Sequence, residues 1–135
     1  MSSVDKIIGS YLKEISLVST STEEESLGNT WRDVSNNIIN TGIAGGRANK
    51  VRCMAICKDE RCKQECDLRA TTYVIGRLET GIGGCRSDKR CVKSVLTRII
   101  NIAQRADEKV RRYGFGPPYL RDAIAFSKRM GFGAK

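Results

Sequence analysis

The chain has no histidine. That absence removes Ser-His-Asp and Cys-His catalysis, Cys2His2 zinc sites and the HExxH helix of metalloproteases. Phosphate loops are missing as well. GIAGGRANK at 42–50 lacks the G-x-x-x-x-G-K-[ST] spacing, and GIGG at 81–84 has no following Lys-Ser, so an NTPase is not expected. No thioredoxin-like CxxC occurs, and the βαβ frame in which it normally sits is also missing. No apolar run approaches the length a bilayer requires, and no stretch alternates with period two between turns, so strands are not expected. The opening MSSVDKIIGSYLKEI lacks a basic start, an apolar block and a small-residue cleavage site, which predicts no export by a signal peptide. Aromatic residues make up 6%, too few for stacking on single strands to be a main binding mode. These absences leave no catalytic set, no cofactor and no small-molecule substrate, and the chain is read as a non-enzyme.

What is present is positive charge. Residues 1–42 hold three basic and six acidic side chains, whereas residues 43–135 hold twenty-one and nine. This asymmetry divides the chain into an acidic helical arm, 1–42, and a basic helical domain, 43–135. A surplus so concentrated repels itself unless a polyanion neutralises it, which makes nucleic acid the first partner to consider. An anionic membrane surface is the second and is not expected.

The apolar pattern is helical throughout, and the fold class read from it is all α. Val4, Ile8, Tyr11, Ile15 and Val18 recur at spacings of three and four, giving an amphipathic helix that starts after Ser2 or Ser3. STSTEEES then supplies overlapping capping boxes, Thr20 with Glu23 and Thr22 with Glu25, so a second helix should start there. Its seam is Leu27, Trp31, Val34 and Ile38, and Gly42 is expected as its left-handed stop. Residues 42–50 then read as a flexible joint or a close-approach backbone. Helix is expected again from Ala48 to about Glu79, with KDER at 58–61 either a turn or a continuation. After the glycines of ETGIGGCRSD, Ser87 or Asp88 should cap the strongest helix, whose seam is Val92, Val95, Leu96, Ile99, Ala103, Ala106, Val110 and Tyr113. Gly114 should stop it, and Pro117 and Pro118 suit the first turn of a last helix carrying Leu120, Ala123, Ile124 and Met130. Phe115 and Phe132 are expected to pack back on helix ends.

Six cysteines complete the inventory. Cys53, Cys57, Cys62 and Cys66 form two CxxxC arms around KDER. If KDER turns, the arms make a helical hairpin in which Cys57 faces Cys62 and Cys53 faces Cys66, because i and i+4 share a helix face. If the helix continues, these cysteines must pair elsewhere. Cys85 and Cys91 are the third pair, and a bridge there would staple the GIGG loop to the long helix. Four thiolates also suffice for zinc, although tight CxxC knuckles are the commoner spacing. Reduced cysteines buried as small apolar residues are a further alternative. Paired cysteines without an export signal fit hyperthermophile interiors or virion surfaces, where disulfides persist. Against the former, fourteen Arg outnumber ten Lys, which is not the usual hyperthermophile bias.

For a nucleic acid, the candidate contacts are Arg98, Arg105, Lys109 and Arg112 along one flank of the long helix. Arg47, Lys50 and Arg52 extend them from the glycine joint, and Arg69 and Arg77 share a face of the preceding helix. Phosphate neutralisation alone accounts for these positions, so backbone recognition with strong salt dependence is expected, without sequence specificity. Each cation taken singly is an ordinary solvated residue, and the expectation rests on the aggregate. Two other readings stand beside this one: a disulfide-stabilised regulator that reads sequence with one helix, and a cysteine-based metal-binding protein.

A small, helical, basic chain with paired cysteines, an amphipathic N-terminal helix pair and a bundle behind it resembles the major coat proteins of filamentous viruses of hyperthermophilic archaea. The resemblance covers the whole chain as architecture. It implies a capsid subunit in a helical filament, pairing with itself or a paralogous coat subunit around double-stranded DNA held in the A form. Localisation in a virion assembled in host cytoplasm follows from the same likeness. The first two helices depart from that pattern in being net acidic. Basic residues after Gly42 should therefore supply most DNA contacts, and the acidic arm should meet a neighbouring basic subunit.

Overall fold

A computed structural model describes residues 30–130. The helix expected over Val4–Val18, the capping boxes at Thr20 and Thr22, Leu27 of the second expected seam, and Phe132 lie outside these residues. Among those described, four α-helices and one 3-10 turn are formed and no strand: α1 (Thr30–Ala55), α2 (Glu60–Gly81), the 3-10 turn Ile82–Cys85, α3 (Lys89–Tyr113) and α4 (Pro118–Arg129). The fold is all α, with a disulfide-stapled helical core.

The first departure from sequence expectation is Gly42. It does not end a helix: α1 runs unbroken through Gly42, Gly45 and Gly46 to Ala55, so the division between 42 and 43 falls inside one continuous helix. The reason is tertiary. A Cβ on Gly42 would sit 3.0 Å from Leu78 Cδ2, one on Gly45 2.8 Å from the Tyr73 ring, and one on Gly46 2.2 Å from Val74 Cγ2. The glycines are the surface across which α2 crosses α1 closely, and the helix propensity they sacrifice is offset by that approach. The buried stripe of α1 is accordingly Ser35, Ile39, Gly42 and Gly46. Trp31, Val34 and Ile38, expected to form the seam, pack against the core only partly buried. Residue numbers run oppositely along the two helices in these contacts, so α1 and α2 are an antiparallel hairpin.

This packing predicts a contrast between two glycines. Gly46→Ala should destabilise the protein by about 1–3 kcal/mol through overpacking, despite the roughly 1 kcal/mol by which alanine favours a helix. Nothing lies within 4 Å of a Cβ at Gly83, so Gly83→Ala should be near neutral. Urea midpoints of the two variants check the contrast.

The hairpin turns at Ile56–Asp59, and Asp59 caps α2 by accepting from the Cys62 N–H at 2.8 Å. The turn thus begins before KDER and ends within it. Both bridges expected for a hairpin are present, Cys53–Cys66 and Cys57–Cys62, nested one helical turn apart, and Cys85–Cys91 ties the 3-10 turn to α3. Closing the loop between Cys53 and Cys66, 13 apart in sequence, contributes about 3 kcal/mol by restricting the unfolded chain.

The long helix α3 supplies much of the core of the described residues. Val92, Val95, Leu96, Ile99, Ala103 and Ala106 of the expected seam are buried, with Cys91 beside them, against Leu68, Ile75 and Leu78 of α2 and Leu120, Ala123 and Ile124 of α4, while Val110 and Tyr113 of the seam are only partly buried. Asp88 is its cap, accepting from the Arg90 and Cys91 N–H groups at 3.0 and 3.3 Å. Gly114, at φ 84°, ends it in the left-handed conformation. Pro118 opens α4, whose Tyr119 hydroxyl donates to the buried Glu79 of α2. Phe115 packs back on Tyr113 and carries the Arg61 guanidinium 3.6 Å above its ring, tying the start of α2 to the α3–α4 turn.

Candidate nucleic-acid interface

Where α1, α2 and α3 meet on one side of the bundle they leave an open groove of about 500 Å³. Its floor is short or apolar: Gly46 and Ala70 add almost no side chain at the α1–α2 crossing, and Ile43, Val74 and Ile102 supply the rest. Its walls are cationic. Arg47 and Lys50, three apart, come from α1, while Arg98, Arg105 and Lys109, at spacings of seven and four, come from α3. Thr71 and Asn101 add polar groups, and Asp67 is the single acid in the lining.

Asp67 ties the helices of the groove together. Its side chain is only 9% exposed, and its Oδ1 accepts from Lys109 Nζ at 3.1 Å and pairs with Lys50 Nζ at 3.2 Å. The Tyr113 hydroxyl donates to Oδ2 at 3.0 Å. Burial by itself would push this carboxyl up, but the hydrogen bond and charge of Lys109, then the hydrogen bonds of Lys50 and Tyr113, outweigh it. They hold the group below its ordinary value. The same contact acts in reverse on the phenol: burial and then the Asp67 carboxylate push Tyr113 up. One anion therefore pins both lysines and joins all three helices, while the lysines remain partly open to solvent, 40% and 32% exposed.

Arg47, Arg98 and Arg105 are different. All three are exposed, and among the described residues none of them is in an ion pair. From Arg98 to Lys109 the cationic wall runs about 16 Å along α3 at 1.5 Å per residue. That length matches the rise of about five nucleotides of one strand at 3.4 Å each.

Of the nine basic residues singled out from sequence, five line this groove. Arg52 is exposed near the end of α1, where it donates to the Asn49 side chain. Arg69 and Arg77 are exposed on α2 away from the lining, and Arg112, one turn past Lys109, lies over the Tyr113 ring at 5.5 Å. Asp67 and Tyr113 were not among the expected site residues. The signal for each was spacing: Asp67 stands three and seven residues before Ala70 and Val74, and Tyr113 ends the apolar seam of the long helix. No protein-family model matches the chain, and neither a curated protein nor a solved structure matches it.

Proposed function

We propose that this chain is a non-enzymatic structural protein that coats double-stranded DNA through its phosphates, as a capsid or nucleoprotein subunit acting in a virion. The observation that supports the reading is the groove, where five cations from two helices face a space whose single carboxylate is already neutralised by two of them. A polyanion lying there gains charge-assisted hydrogen bonds without leaving a carboxylate exposed to it. The cations are shared between α1 and α3 rather than gathered on one projecting helix. Phosphate contact is favoured over base reading for that reason, since base edges are read by side chains carried into a groove on one element. Self-association, or pairing with a paralogous coat subunit, accords with the net acidity of residues 1–42 against the basic remainder. The resemblance to coat proteins of filamentous archaeal viruses points the same way.

Filter binding with random-sequence duplex DNA tests this. The expected result is binding at low salt without preference among competitor duplexes, and a log-log salt slope of about −3 to −4, since Asp67 offsets one of the five groove cations. Absence of binding at low salt rejects the reading. A marked preference for one sequence would instead support a regulator.

A further inference from the structure

The tip of the α1–α2 hairpin holds four sulfurs in one place. Beyond the two bridges, Cys57 Sγ lies 3.4 Å from Cys66 Sγ across the nested pair, and the sulfurs of Cys57, Cys62 and Cys66 all fall within 4.8 Å of one another. Cys53 Sγ is bonded to that of Cys66 and so lies directly beside this group of three. In a tetrahedral zinc-tetrathiolate, with Zn–S about 2.3 Å, sulfurs are separated by about 3.8 Å. The unbonded approach is already close to that figure. The bonded sulfurs would reach it by side-chain rotation once reduced: Cys62 and Cys66 share a face of α2 at i and i+4, Cys53 faces them from the last turn of α1, and Cys57 does so from the turn between the helices.

The geometry points to a redox-exchangeable zinc site: in the reduced chain Cys53, Cys57, Cys62 and Cys66 bind one Zn²⁺, and oxidation to the two bridges releases it. The exchange balances. Two equivalents of an external dithiol give four electrons and four protons to the two disulfides and become disulfides themselves. The four thiols then lose their protons to solvent as Zn²⁺ takes four thiolates; in the reverse direction two equivalents of an external disulfide take four electrons from the thiolates and four protons from solvent, become dithiols, and Zn²⁺ leaves. The resulting site carries two net negative charges, and Arg52, Lys58 and Lys63 flank the cysteines in the chain, where neighbouring cations favour thiolate over thiol. Cys85 and Cys91 take no part. They sit at the far end of α2, beside the start of α3.

The probe is Co²⁺ added to the full chain reduced with a phosphine in the absence of oxygen. One ion per chain with the intense visible bands of tetrahedral thiolate coordination, displaced by Zn²⁺, is expected for the wild type and for Cys85→Ser/Cys91→Ser. The Cys57→Ser/Cys62→Ser variant should lose uptake. Because that variant could fail to fold, alkylation with mass mapping is run on the wild type alone. Zn²⁺ should protect Cys53, Cys57, Cys62 and Cys66 in a chelator-reversible way and leave the reactivity of Cys85 and Cys91 unchanged. No cobalt uptake by the reduced wild type overturns the assignment, as does metal-dependent protection at Cys85 or Cys91.

Discussion

Replacing Arg98 and Arg105 together by glutamate is expected to weaken binding to duplex DNA on the order of a hundredfold at low salt, with thermal stability unchanged. A hydrogen bond to a charged group is worth about 1.5–3 kcal/mol, so each lost phosphate contact costs at least tenfold, and reversing the sign adds repulsion. The salt slope should become shallower by about 2. Stability should hold because both residues are exposed and in no ion pair among the described residues. Arg69→Glu/Arg77→Glu is the matched control, with the same charge change on exposed positions outside the groove. Its effect on affinity should be several times smaller. Equal losses in the two pairs, measured by filter binding across a salt series, would show that the whole basic surface binds and the groove has no special part.

Asp67 should show stability and binding moving in opposite directions. Removing one partner of a buried ion pair typically costs about 3–5 kcal/mol, and here the lysines are 40% and 32% exposed, so water recovers part of that. Asp67→Ala is therefore expected to cost about 2–3 kcal/mol in urea unfolding. The pH dependence follows from the direction of the shift. The folded carboxyl titrates below its unfolded value, which is about 3.9. Its contribution is complete above that value and is lost as pH falls through the lower, folded one. Asp67→Asn keeps the shape but removes the charge, so the acid-side fall in stability should be smaller in this variant. With the carboxylate gone, Lys50 and Lys109 present one more unit of net positive charge to the groove. DNA affinity should rise and the salt slope should steepen by about 1. A variant that is less stable yet binds DNA no more tightly would separate Asp67 from the binding site.

How much of this could be read without a structure depends on the range of the interaction. The seam of α3, its start at Ser87 or Asp88 and its end at Gly114 were legible because a 3.6-residue period and a cap are set by neighbours a few positions away. The cysteine spacing stated the hairpin as one of two geometries. Only the turn at Ile56–Asp59 selected it, since nothing local distinguishes KDER in a helix from KDER at a turn.

Gly42 shows the opposite case. A glycine after an apolar seam is the local signature of a helix stop, and what overrides it is Leu78, thirty-six residues on, pressing where a Cβ would be. The charge asymmetry likewise named a polyanion and nine candidate cations. Which five share a groove, and that a buried Asp67 binds two of them, depends on three helices lying side by side. The sequence by itself therefore determined the all-α class, the α3 seam, the caps and the sign of the surface. Tertiary structure decided the continuity of α1, the nesting of the bridges and the membership of the site, because side chains meet there through packing across chain separations that no local pattern encodes.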